Sequence, residues 1–270
     1  QQAQITVHKP ERLNGRGVID QIKSYAPEAI VVAAYGQIVP NDLLVLPKHG
    51  CINLHPSLLP RWRGASPLHA PLLHGEEKTG ITTMLMDEGL DTGDILLQKT
   101  VSIPPLANVG DLHDLLAKLG AELMLETLDM LDRGDLQPIP QDDSQATYAP
   151  KVEKEEIDWH QDQEDIVRKI RGLSPFPGIH TFFRGKRLKI LRAAGDPNDY
   201  PAFPKEMPLV GAKKPAPGSV LLAEDKEFWV AAGSGCVKIN EVHPQGRNAM
   251  DAAEFLRGYA PSIGEVMGNG

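Results

Sequence analysis

Apolar residues run unbroken through Ala29-Ile30-Val31-Val32-Ala33-Ala34-Tyr35, with β-branched side chains at the centre and none of the alternation of a half-exposed strand. Such a run predicts a strand buried on both faces, as in a parallel sheet. Around it the period changes in turn. The pattern predicts a short strand near Ile5-Thr6-Val7, a helix over 17–25, a short helix after Pro40 and a strand over 51–55. A helix over 66–75 with Pro67 near its first turn and a strand over 79–86 follow. The longest helix is predicted over 109–133, where Leu112, Leu115, Leu116, Leu119, Leu123 and Leu128 form an apolar stripe read as core. Strand and helix in turn imply an α/β fold built on a mostly parallel sheet.

From 134 to 156 the chain turns to Pro, Asp, Gln, Lys and Glu, which is linker chemistry, with Thr147-Tyr148-Ala149 able to supply one short strand. A boundary near Lys151 divides the chain into 1–150 and 151–270. After a helix over 163–172, the second part is a series of short β segments at 179–183, 188–193, 218–222, 228–231 and 236–242. A small β-barrel is the natural closure of such strands, with a helix over 251–259 plugging or flanking it.

A length of 270 residues with 41% hydrophobic content suits two domains and a sizeable core. No run of eighteen apolar residues occurs, and Gln1-Gln2-Ala3-Gln4 opens no apolar signal segment, so a cytosolic protein is expected, with no membrane partner. The two cysteines, Cys51 and Cys236, lie far apart and suit reduced thiols. The net charge of −8 argues against a nucleic-acid binder with a uniformly basic surface, but it is uneven: residues 166–270 hold 15 Lys and Arg against 10 Asp and Glu. The C-terminal part is therefore basic, most densely over Arg184-Gly185-Lys186-Arg187-Leu188-Lys189-Ile190-Leu191-Arg192. Strand alternation there puts Arg187 and Lys189 on one face and Lys186, Leu188 and Ile190 on the other.

The candidate chemistry lies in the first part. Asn53 and His55 are two apart, so an extended segment turns both to one face, and Pro56 ends the strand beside them. The stretch Gly36-Gln37-Ile38-Val39-Pro40 should emerge at the carboxyl edge of the sheet, where open α/β sheets bind ligands. With Asp91 in Gly89-Leu90-Asp91-Thr92-Gly93-Asp94, the set holds an amide, an imidazole and a carboxylate, parts suited to polarising an acyl carbonyl and moving protons. His69 and His74 are five apart, off helical ligand spacing, so they are read as ordinary helix residues rather than metal ligands. Asp87, Glu88 and Asp94 are read as turn-capping groups.

The frame Asn53-Leu54-His55-Pro56-Ser57-Leu58-Leu59-Pro60, with Asp91 38 positions after Asn53, resembles the 10-formyltetrahydrofolate-dependent formyltransferase family. Arg61-Trp62-Arg63-Gly64-Ala65-Ser66-Pro67, Thr79-Gly80-Ile81-Thr82 and Ser174-Pro175-Phe176-Pro177-Gly178 are similar to its methionyl-tRNA branch in particular. That resemblance implies a Rossmann-like formyltransferase sheet followed by an OB-like C-terminal β-barrel. It implies formyl transfer from 10-formyltetrahydrofolate, a cosubstrate, to the α-amino group of methionyl initiator tRNA, by a monomer and without a metal. His55 would exchange protons, Asn53 would hydrogen-bond the oxyanion, and Asp91 would orient His55 and favour its protonated form. The folate site would comprise Gln37, Ile38, Val39, Ser57, Leu58, Leu59, Pro60, Asp87, Glu88, Gly89 and Leu90. Contacts to tRNA would come from Arg61, Arg63, Lys151, Lys154, Arg184, Lys186, Arg187 and Lys189. The family also carries a further amino-terminal strand and helix, so the chain is expected to be incomplete at that end and poorly stable and active alone. A folate-dependent hydrolase or dehydrogenase domain and a noncatalytic RNA-binding fragment are the rival readings.

Overall fold

The computed structural model describes residues 5–195 and 215–268 and divides into two compact units. The first comprises residues 1–64, 80–100 and 116–148; the second comprises 65–79, 101–115 and 149–270. The units are interleaved along the chain, whereas the linear reading split it once, near Lys151. Runs 65–79 and 101–115 group with the C-terminal part through tertiary contacts that no local composition announces.

The first unit holds α1 (Arg16–Ser24), β1 (Ile30–Ala33), α2 (Asn41–Leu44), β2 (Cys51–His55), the two-residue β3 (Arg63–Gly64) and most of β4 (Lys78–Leu85) and β5 (Ile95–Ser102). Residues 116–133 of α4 (Val109–Arg133) also belong to it. Its sheet has the order β1-β2-β4-β5. β1 runs parallel to β2 but β2 runs antiparallel to β4, so the sheet is mixed rather than mostly parallel. Residues 79–84 of β4 are buried in succession, the signature of a central strand, and that pattern carries no information about direction. β5 was not foreseen, because its apolar start gives way to the polar Gln98-Lys99-Thr100.

No strand forms at residues 5–7, where Ile5 is 77% exposed. β1 is consequently the edge of the sheet and alternates in exposure instead of being buried throughout. The helix expected over 66–75 shrinks to α3 (Ala70–Leu73), in the second unit, because Pro71 lacks an N–H and fits only the first turn.

Ile52, Leu96, Met124 and Leu136 form one core cluster, with Leu54 and Leu128 packed against it. Gly120 lets α4 approach closely: a Cβ there would lie 2.8 Å from Leu54 Cδ2 and collide with Ile81. Leu116 and Leu123 of the predicted stripe are buried, whereas Leu115 is 40% exposed and lies outside the core. A separate cluster of Val39, Leu43 and Cys51 takes in Ile19, Ile22, Ile30 and Val32. Within it the Cys51 thiol donates to the Leu43 carbonyl at 3.3 Å, and burial pushes its pKa up to about 11.

The second unit holds α3, β7 (Glu155–Glu156), α5 (Gln163–Leu173), β8 (Ile179–Phe183), β9 (Lys186–Ala194), β10 (Val220–Glu224), β11 (Glu227–Ala231), β12 (Cys236–Pro244), β13 (Met250–Asp251) and α6 (Ala252–Tyr259). β6 (Tyr148–Ala149) precedes β7 in the chain. The sheet runs β10-β11-β12-β9-β8-β7, with β13 on β12, and among the described residues no pairing joins β10 to β7. The strands therefore follow an open path. Ile166, Ile170 and Leu173 of α5 and Phe255 of α6 complete one core with the inward residues of the sheet. Asp251 caps α6 by accepting from the Glu254 N–H at 2.8 Å. No described helix is long and apolar enough to cross a membrane.

Candidate active site

β2 carries Asn53 and His55 on one face, and the chain after it folds back within reach of the imidazole. Trp62, held in the left-handed region at φ 62°, turns its carbonyl to His55 Nε2 at 2.9 Å. A carbonyl only accepts, so Nε2 carries the hydrogen and Nδ1 presents its lone pair. Nδ1 lies 3.6 Å from Asp91 Oδ1, and the other oxygen, Oδ2, accepts the Gly64 N–H at 2.8 Å. Asp91 is itself left-handed, at φ 55°. Asn53 is half-buried, and its amide makes no hydrogen bond within the described residues.

His55 is 3% exposed. Loss of hydration lowers its pKa below the ordinary 6.5, and the opposing pull of the Asp91 carboxylate and the Trp62 carbonyl does not reverse this. Asp91 thus pulls in the foreseen direction, toward the protonated form, but burial outweighs it and favours the neutral imidazole. A neutral imidazole with a free Nδ1 is a proton acceptor. In an NMR titration of the chain, His55 should show its midpoint below 6.5, and Asp91→Asn should lower it further by removing the carboxylate. The unfolded chain takes up this proton at higher pH than the folded one, so the His55 contribution to stability is complete above 6.5 and diminishes as pH falls through the interval between the two midpoints. A midpoint above 6.5 would contradict the desolvation argument.

A second set of contacts surrounds this pair. Gln141 Nε2 donates to the Asp91 carbonyl at 2.8 Å and the Gly93 carbonyl at 2.7 Å. Its Oε1 accepts from Arg63 Nε at 3.1 Å and Nη2 at 2.8 Å, and Arg63 Nη2 also reaches Asp143 Oδ1 at 2.7 Å. Gln141 and Asp143 lie in the stretch read as linker, and no sequence signal distinguishes them there. Arg63, expected at a tRNA surface, is 2% exposed and is removed from it: its guanidinium is consumed inside the protein.

The remaining expected residues are dispersed around the strand ends. Gln37 is engaged with the chain at Glu11 and Leu13, Ile38 is 93% exposed, and Val39 is buried in the core, leaving only its backbone for a ligand. The turn 57–60 is tied down by Thr82, which donates to the Ser57 carbonyl at 2.7 Å, and by Gln98, which donates to the Leu59 carbonyl at 2.8 Å. Ser57 and Leu59 are buried, Leu58 packs against Gly80, and Pro60 is half-buried. Asp87 accepts from the Gly89 N–H and the Thr92 hydroxyl, Glu88 accepts from Asn41 Nδ2 at 2.7 Å, and Gly89 and Leu90 are exposed.

Among the basic residues, Lys151, Lys154, Lys186 and Arg187 are exposed, and Lys189 is half-buried. Arg61 stacks its guanidinium 5.5 Å from the Trp62 ring centroid. Arg184, although exposed, is committed to Glu265 at 2.6 Å, which raises its pKa, and to the Tyr259 and Ala260 carbonyls, and these contacts draw its donors away from a phosphate. In β9 the foreseen alternation holds over 187–190, with Leu188 and Ile190 buried opposite Arg187 and Lys189, whereas Lys186, expected on the face of Leu188, is exposed at the start of the strand.

The family described as Formyl transferase matches residues 2–128, and Formyl transferase, C-terminal domain, matches 151–260. The chain belongs to the formyl transferase family. It is 44% identical over 267 residues to a methionyl-tRNA formyltransferase of Syntrophus aciditrophicus, covering 98% of this chain and 81% of that one. A methionyl-tRNA formyltransferase of Halalkalibacterium halodurans is likewise 44% identical, over 270 residues, with the same coverage. Among solved structures, HypX from Aquifex aeolicus in complex with tetrahydrofolic acid shares the fold, with a TM-score of 0.66 and 22% identity over 91% of this chain and 41% of that one. In this formyl transferase, Asn53, His55 and Asp91 fall inside the first matched stretch, and Gln141 and Asp143 fall between the two. Among the described residues, no group of three His, Cys, Asp or Glu side chains is placed to hold a metal ion.

Proposed function

We propose that the chain transfers the formyl group of 10-formyltetrahydrofolate to the α-amino group of methionyl initiator tRNA, supplying translation initiation. The observation that carries this reading is His55 with Nε2 on the Trp62 carbonyl and Nδ1 3.6 Å from Asp91, two residues from an uncommitted Asn53, in a chain 44% identical to methionyl-tRNA formyltransferases. The neutral amine attacks the formyl carbon, the bond from that carbon to the folate nitrogen breaks, and the proton lost by the amine replaces the formyl group on that nitrogen. His55 Nδ1 accepts the proton and returns it, with the Asp91 carboxylate stabilising the transient imidazolium. Asn53 donates its amide hydrogen to the oxyanion developing on the carbonyl.

The folate would lie along the backbone of 37–39 and 87–90 and the turn 57–60, where Ile38, Gly89 and Leu90 are open to solvent. Arg61, Lys151, Lys154, Lys186, Arg187 and Lys189 supply the tRNA contacts, as phosphate-neutralising cations whose binding weakens with salt. We read residues 151–270 as the tRNA-binding domain, with its open sheet as the wall of a small, partly open OB-like barrel, and the protein as a cytoplasmic monomer.

Purified chain given 10-formyltetrahydrofolate and charged initiator tRNA should form formylmethionyl-tRNA in step with loss of the donor. Release of formate at the same rate with and without tRNA would instead make it a hydrolase and overturn the proposal.

A further inference from the structure

Trp62-Arg63-Gly64 makes one contact to the site from each residue: a carbonyl to His55, a guanidinium to Gln141 and an N–H to Asp91. The carboxamide of Gln141 has its orientation dictated from both sides. Arg63 can only donate, so Oε1 must face it, and both amide hydrogens must then face the Asp91 and Gly93 carbonyls. Asp91, whose carbonyl this arrangement grips, and Trp62, whose carbonyl meets His55, are non-glycine residues in the left-handed region, a conformation that persists only where surrounding contacts over-determine it.

We propose that Arg63 and Gln141 are positioning residues: Arg63 fixes the amide of Gln141, and Gln141 holds the Asp91 loop so that its carboxylate stays beside His55 Nδ1. The guanidinium is kept from solvent for this purpose, and its charge is met by Asp143, which is 80% exposed and leaves the Gln141 amide free to bind the loop. The reach is long in sequence, 78 positions from Arg63 to Gln141 and 50 from Gln141 back to Asp91, so one short loop is clamped by a segment from the far end of the unit.

The role in turnover rests on the formyl-transfer reading, so the test combines turnover with a measurement that does not. Gln141→Met keeps the volume and neutrality of the side chain, removes the hydrogen bonds to the loop, and leaves Arg63 paired with Asp143. It should lower kcat about tenfold or more with KM unchanged, because small misplacements of a proton-transfer group act on the chemical step. In the same variant the His55 NMR midpoint should move down, because a loosened Asp91 no longer raises it. Arg63→Lys, which keeps the charge but cannot grip Oε1 with two donors, should shift both readouts in the same direction, and it carries the test if Gln141→Met does not fold. A folded variant with an unmoved His55 midpoint overturns the proposal, whatever its kcat. If the wild-type chain formylates nothing, the assignment of the reaction fails, and the His55 titration still decides the clamp.

Discussion

Asn53→Ala is expected to lower the turnover of formyl transfer by roughly 10²- to 10³-fold, about 3 to 4 kcal/mol of transition-state stabilisation, the range seen when one oxyanion donor is removed. The expectation is specific because Asn53 makes no hydrogen bond within the described residues and is only half-buried, so its removal breaks no internal contact of that kind. KM should stay near the wild-type value, since the hydrogen bond strengthens as charge develops on the oxygen and adds little to the ground state. Steady-state kinetics and a thermal melt on the same preparation separate the effects. Unchanged kcat with an unchanged melting temperature would remove Asn53 from the chemistry, and a large fall in melting temperature would make it structural.

The largest loss of stability should come from Phe255→Ala. Phe255 is fully buried, its ring centroid lies 4.6 Å from that of Tyr259 and 5.5 Å from those of Phe228 and Phe183, and these contacts hold α6 on the sheet of the second unit. Truncating such a ring costs about 3 to 5 kcal/mol through lost transfer energy and a residual cavity. Urea denaturation should show the change as a lower midpoint, and amide exchange should quicken across 252–259. A loss below about 1 kcal/mol would mean that the neighbouring rings collapse into the space.

Where side-chain periodicity meets a continuous element, the sequence is a reliable guide: β2 at 51–55, α4 at 109–133 and β8 at 179–183 have the foreseen bounds. The failures are of another kind. Pro71 cut a helix that an apolar count had extended, and the direction of β4 is invisible in a strand buried at six successive positions. Interleaving of the two units depends on contacts far apart in sequence. In the candidate site, Asn53, His55 and Asp91 were legible because a strand period and a turn-rich motif frame them. Gln141 was not, because a single polar residue in a polar stretch differs from its neighbours only in what it touches. Arg63 reads wrongly for the complementary reason: a cation two positions after an exposed arginine and just before a glycine looks like surface until its 2% exposure is known.

Cys51 is 1% exposed, two residues before Asn53 on the same strand, and its thiol is pushed to about 11. Oxidants and alkylating reagents attack the thiolate, and at neutral pH this sulfur has almost none to offer. The strand that carries the proposed chemistry is therefore silent to peroxide and to electrophiles at the one position where it could have been poisoned covalently through sulfur.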